Sequence, residues 1–134
     1  MSMNRNKDLG FLVIRLSIGI MMLLHGIAKL IGGVGAVQGM VVAKGLPAFI
    51  SYGVYIGEVI VPLLLIIGYR TRLAALIFAL NCLAIIWFGG HSIFTLDKFG
   101  GWSAELPGLF FFGALSLFFT GAGKYALSSS NKWD

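Results

Sequence analysis

Apolar residues gather in four long runs, Leu9–Ile31, Phe49–Gly68, Thr71–Gly89 and Trp102–Thr120. A helix that crosses the hydrocarbon of a bilayer needs about 20 residues at 1.5 Å each. Each run meets or approaches that length. Tyr69-Arg70 leaves room only for a tight helical hairpin between the second and third runs. Between the first and second, Ala36, Val37, Met40 and Val41 recur at helical spacing, and Lys44, Gly45 and Pro47 follow as stop signals. That pattern predicts a short interfacial helix within Gly32–Pro47. Gly90–Gly101 reads as an interfacial loop with aromatic anchors, and the segment after Gly123 as a short, polar, frayed tail. The predicted fold is all-α, a transmembrane bundle of four helices with a short interfacial helix between helices 1 and 2, forming one domain over residues 1–134.

Composition strengthens this reading. Of 134 residues, 58% are hydrophobic and 11% charged, where a soluble domain carries about 25% charged residues. The net charge of +5 does not point to nucleic acid, because the basic residues are scattered at helix ends; the lipid bilayer is the partner it fits. Arg5, Lys7, Arg70, Arg72, Lys124 and Lys132 fall on one side of the predicted bundle, and Lys29, Lys44 and Lys98 on the other. The excess of basic residues marks the cytoplasmic side, which predicts an N-in/C-in topology. Cys82 is the single cysteine. It allows no intrachain disulfide and no thiol relay. The first run is too long for a signal-peptide core, so we read it as a retained span.

The polar residues inside the runs are the candidates for function. An ionised side chain at a helix centre in hydrocarbon costs about 2.5 kcal/mol or more, so such residues pair with one another or serve an intramembrane task. Helical rise places Glu58, Asn81 and His25 in a deep layer, with Arg15 able to reach inward on its long stem. Lys29, Glu105 and His91 fall in an outer layer. On span one, Arg15, Gly19, Met22, Gly26 and Lys29 share one side, with His25 at its edge. That stripe is expected to face the bundle. Pro62 has no N–H, so the carbonyl of Glu58, four residues back, loses its helical partner.

Each candidate has a structural reading beside a functional one. Glu58 with His25 or Arg15 reads as a register-fixing ion pair or as a ligand-binding or proton-handling group. Lys29 with Glu105 reads as a boundary salt bridge, Asn81 as an interhelical hydrogen bonder, and His91 as a headgroup-level loop residue. A metal site from His25, His91 and Glu105 needs a convergence that spacing does not supply, so no metal is expected.

Four stretches carry a family resemblance. They are Arg15-Leu16 with Gly19 and His25-Gly26-Ile27-Ala28-Lys29; Glu58; Gly68-Tyr69-Arg70-Thr71-Arg72; and Thr120-Gly121-Ala122-Gly123-Lys124-Tyr125. In this order the chain resembles the DoxX family of small four-helix membrane proteins. That family often closes on Ser-Leu-Asp, where this chain has Ala126-Leu127-Ser128. The resemblance implies a multi-pass protein of the bacterial or archaeal cytoplasmic membrane. It also implies association with membrane redox complexes, such as thiosulfate:quinone oxidoreductase or a complex of oxidative-stress resistance.

Three functions follow. The preferred one is a redox-associated subunit, part of a membrane oxidoreductase, that binds a quinone or other lipophilic ligand between its helices. Glu58 and His25 would handle protons and Arg15 or Asn81 would hold a carbonyl oxygen. No cofactor motif is evident in the chain, so electrons would come from a membrane or peripheral redox partner. The alternatives are a non-catalytic scaffold or assembly partner of a larger complex, and small-solute transport as a homo-oligomer.

Overall fold

The computed structural model describes residues 4–134. They form helices α1 (Lys7–Gly32), α2 (Gly35–Ala43), α3 (Val61–Ile67), α4 (Thr71–Phe88) and α5 (Glu105–Thr120). Among the described residues the one trace of strand is an isolated antiparallel bridge between Leu96 and Trp102. Three segments are long and apolar enough to cross a membrane: Lys7–Gly32, Ala48–Ile67 and Thr71–Phe88. α5, with 16 residues, rises ~24 Å and is the short member.

The second of these segments is not a uniform helix. It opens as a 3-10 helix over Ala48–Gly53, widens to a π-helix over Ile56–Ile60, and becomes α3 only at Val61. Pro62 supplies the reason. Without an N–H it cannot close the usual bond to Glu58, and the preceding turn widens so that Val61 N–H bonds the carbonyl of Ile56, five residues back. The freed Glu58 carbonyl lies against Gly26 of α1, where a Cβ would collide with it. Gly19 is a second close approach, its place for a Cβ lying 2.9 Å from the Ile66 side chain and 3.2 Å from the Pro62 carbonyl. The buried residues of α1 are Arg15, Gly19, Met22 and Gly26, so α1 docks on this segment along one narrow stripe.

The core joins that stripe to α3, α4 and α5. Met22, Val61, Leu65, Ala75, Phe78 and Leu117 are among its fully enclosed members. Small residues Ala74, Ala75, Ala79 and Ala114 are buried in this core, and α4 and α5 pack most extensively of any pair, as expected where helices approach closely without a hydrophobic driving force. The outward faces are apolar, with Val13, Leu24, Leu80, Leu109 and Phe119 exposed.

Two expectations fail at the end of the bundle where Asp8 meets the segment after α5. The tail is not frayed. Its Leu127 and Ser128 N–H groups bond the carbonyls of Ile67 (3.0 Å) and Gly68 (3.2 Å), and Trp133 O accepts from Arg72 N–H at 2.8 Å. The last carbonyls of one helix and the first N–H groups of the next have no intrahelical partner; the tail satisfies both sets at the α3–α4 hairpin. It also brings Asp134 to Arg70, with 2.9 Å between Oδ1 and Nη1. Ser128 stands where the family pattern has Asp, and it donates its hydroxyl to Asp134, so the carboxylate beside Arg70 comes from Asp134. Burial pushes the Asp134 carboxyl up, but hydrogen bonds from Ser128, Asn131 N–H and Arg70, with the Arg70 charge, override it and hold the pKa at about 2.

The second failure concerns Arg15, which does not reach the deep polar layer. Its guanidinium turns toward the tail and gives hydrogen bonds to the carbonyls of Leu65 (2.9 Å), Ile66 (3.1 Å), Ala122 (3.0 Å) and Tyr125 (2.8 Å). Two of these end α3, where the helix dipole is negative and carbonyls are unpartnered. Four acceptors within reach account for Arg15 being 1% exposed.

Candidate functional site

The opposite half of the bundle holds an open cavity of about 850 Å³. The last turns of α1, the 3-10 and π segments, the end of α4 and the start of α5 form its walls. α2, through Val37, Met40 and Val41, and the loop before α5, through Asp97 and Trp102, complete it. Most of the lining is apolar. A few polar groups converge on it, which is the usual make-up of a small-molecule site.

The central polar feature is an ion pair. Lys29 Nζ lies 3.0 Å from Glu58 Oε1, with 25% of the lysine and 4% of the glutamate side chain exposed. Sequence reasoning paired these residues differently, joining Glu58 to His25 or Arg15 and Lys29 to Glu105. The π-helical turn explains the change. It carries Glu58 round toward α1, and Gly26 lets the two helices close until Lys29, one turn on, meets the carboxylate. Glu105 is exposed at the start of α5 and forms no ion pair with Lys29.

Two side-chain atoms beside this pair are buried without a hydrogen bond, Glu58 Oε2 and Asn81 Nδ2. A buried polar group left unsatisfied costs about 1–3 kcal/mol. Asn81 is held over Gly57, where a Cβ would strike its amide. Lys29 Nζ gives one of its three N–H groups to Glu58, and Tyr55 Oη bonds the Lys29 carbonyl at 3.2 Å. The arrangement offers a charged donor, a carboxylate oxygen and an amide at one end of an apolar space.

Of the residues singled out from sequence, Glu58, His25, Asn81, Lys29, Glu105 and His91 all border this one cavity. The deep and outer layers are thus the floor and mouth of a single space. His25 sits on an exposed edge of α1, and His91 lies against Gly89. Arg15 lies outside the cavity, bound to the tail. Asp97 was not singled out. It borders the cavity from the loop, its Oδ1 accepting from Phe99 N–H (2.9 Å) and Gly101 N–H (3.0 Å). The Asp-x-x-x-Gly turn around Gly100, at φ 88°, was the available signal. Among the described residues, no three His, Cys, Asp or Glu side chains gather as metal ligands do.

The DoxX family model matches residues 10–91, more than half of the chain. The chain belongs to the DoxX family. The matched stretch contains His25, Lys29, Glu58, Asn81 and His91 but ends before Asp97 and Glu105. This DoxX protein is also 33% identical over 84 residues to "Putative oxidoreductase CatD" of Bacillus subtilis (strain 168), a match covering 63% of this chain. The chain spans 62% of that relative's length. No solved structure matches.

Proposed function

We propose that this DoxX protein is a redox-associated membrane subunit that holds a quinone or other lipophilic ligand in the cavity above the Lys29–Glu58 pair. The observation that carries the reading is the pairing of a large apolar space with buried, unpartnered polar atoms at one end of it. A ring with polar oxygens and an apolar tail matches that division. Lys29 and Asn81 have N–H groups to give a ligand oxygen. Glu58 and His25 stand close enough to the head to take or give protons, which is the work general acid–base groups do when within hydrogen-bond reach. Electrons come from, or go to, a partner protein. The oxidoreductase name of CatD supports redox association for a relative that shares this segment.

The same proposal includes four membrane crossings with both ends in the cytoplasm of a bacterium. Lys124 N–H bonds Asp8 Oδ1 at 3.0 Å, so the start of α1 and the segment after α5 meet at one end of the bundle. An even number of crossings satisfies that, with α5 as the fourth. Arg70, Arg72, Lys124 and Lys132 cluster at this end, the side that basic residues mark as cytoplasmic.

The test is extraction in mild detergent followed by mass spectrometry of bound lipophiles, with quinone reduction measured in the native complex. The expected result is co-purified quinone at near-stoichiometric amount and a lowered rate for Glu58→Gln. A preparation free of quinone, with an unchanged rate in the variant, would remove the reading.

A further inference from the structure

We infer that the cavity selects the hydroxyl-bearing, reduced form of a quinone-like ligand over the oxidised dicarbonyl form. The inference rests on the cavity being a lipophilic-ligand site, as proposed above, and concerns which hydrogen bonds its head must make.

The cavity is the acidic place in a basic chain. The protein has five acidic residues and a net charge of +5. Three of the five, Glu58, Asp97 and Glu105, border this one space, and Lys29 is its only basic lining residue. With both histidines neutral, the lining carries a formal charge of −2. Glu58 Oε1 is taken by Lys29, while Oε2, on a side chain 4% exposed, accepts from nothing. Asp97 Oδ1 is taken by two backbone N–H groups. Its Oδ2 and the Glu105 carboxylate lie about one point, 3.4 Å and 3.1 Å from the place of a Cβ on Gly101. Neither takes a hydrogen bond from a described residue. Glu58 Oε2 is thus a buried acceptor without a donor, beside the free N–H groups of Lys29 and Asn81, and Asp97 Oδ2 and Glu105 add further acceptors from the loop side.

A quinone head has two carbonyl oxygens and no donor. It can receive from Lys29 and Asn81 but leaves the buried Glu58 Oε2 unsatisfied. The corresponding hydroquinone keeps both oxygens as acceptors and adds two O–H groups. One reaches Glu58 and the other points to the acidic mouth. A hydrogen bond to a charged group is worth about 1.5–3 kcal/mol, which converts to a preference of about tenfold or more. The negative lining separately disfavours anionic heads such as carboxylates and phosphates.

The experiment uses the full chain in nanodiscs, under anaerobic conditions. Three ligands sharing one decyl tail are titrated: the quinone, the hydroquinone, and the hydroquinone dimethyl ether, which keeps the shape and lacks the donors. The hydroquinone is expected to bind about tenfold or more tighter than either of the others. The unaltered protein gives this result with no variant, so a misfolded mutant cannot obscure it. Asp97→Asn is expected to narrow the preference for the hydroquinone over its dimethyl ether. Quinone bound as tightly as hydroquinone would overturn the inference and leave the cavity reading standing. Absence of binding by all three would overturn both.

Discussion

Lys29 and Glu58 are worth more together than either is alone. Their ion pair sits where the glutamate is almost wholly enclosed. Removing one member of a buried pair strands the other, at about 3–5 kcal/mol, while replacing both with apolar residues is often nearly neutral. Lys29 keeps a quarter of its side chain exposed, so Lys29→Met and Glu58→Leu are each expected near 3 kcal/mol, the lower end of that range. The double variant is expected to lose less than either single one. Thermal unfolding in detergent checks this, and additive losses would show that the two do not interact. Arg15 poses a different test. Lys in its place has three N–H groups for four carbonyls and no planar fork. Arg15→Lys is expected to free the Ala122–Tyr125 turn and expose the tail to protease. An unchanged cleavage pattern would mean that the guanidinium does not hold it.

The helices close on one another at glycines, and those glycines are not alike. A Cβ at Gly26 would meet the Glu58 carbonyl, whereas one at Gly10 meets nothing within 4 Å. Gly26→Ala is expected to force α1 off the π-helical turn, with a loss of about 1–3 kcal/mol or more, and Gly10→Ala to be neutral or slightly stabilising. Unfolding midpoints of the two variants compare them directly. The tail has its own signature. Asp134 titrates at about 2 in the folded protein against an ordinary 3.8. A depressed folded pKa stabilises fully above the ordinary value and is lost as pH falls through the lower one. Amide exchange in residues 127–134 is therefore expected to stay slow down to about pH 4 and rise toward pH 2. Much of this architecture was legible in sequence. Apolar runs gave α1 and α4 to within two residues at each end, periodicity gave α2, and the Arg15–Gly19–Met22–Gly26 stripe is the buried face of α1. Pro62 marked a freed carbonyl at Glu58, but one missing N–H cannot say how the turn widens or where the side chain then points. That rotation is why the partner of Glu58 is Lys29. The tail was misread because its value lies in backbone groups meeting the orphan ends of α3 and α4, which leave no trace in hydropathy.

On the scale of the whole molecule, the two ends of the bundle divide the work. One end is locked by Arg15, Arg70 and the tail, and the other holds the cavity with six of the seven polar residues singled out from sequence. Depth along each run sorted those residues into a deep and an outer layer, so the residues were legible but their meeting in one space was not. Nor was the size of the space between them, because it depends on α2 and the loop carrying Asp97, whose placement no spacing fixes. Ala84 borders the cavity one helical turn beyond Asn81 on α4. Ala84→Phe puts a ring into the space and leaves Lys29, Glu58 and Asn81 in the sequence, which separates a site from a merely structural polar layer. The decisive measurement is equilibrium binding of a decyl-tailed quinone-type ligand, in the form that binds better, to the native protein and to Ala84→Phe, with thermal unfolding of each alongside. The account predicts saturable binding to the native protein, and clearly weaker binding to Ala84→Phe at an unchanged unfolding midpoint. Equal binding by both, or none by the native protein, would contradict it.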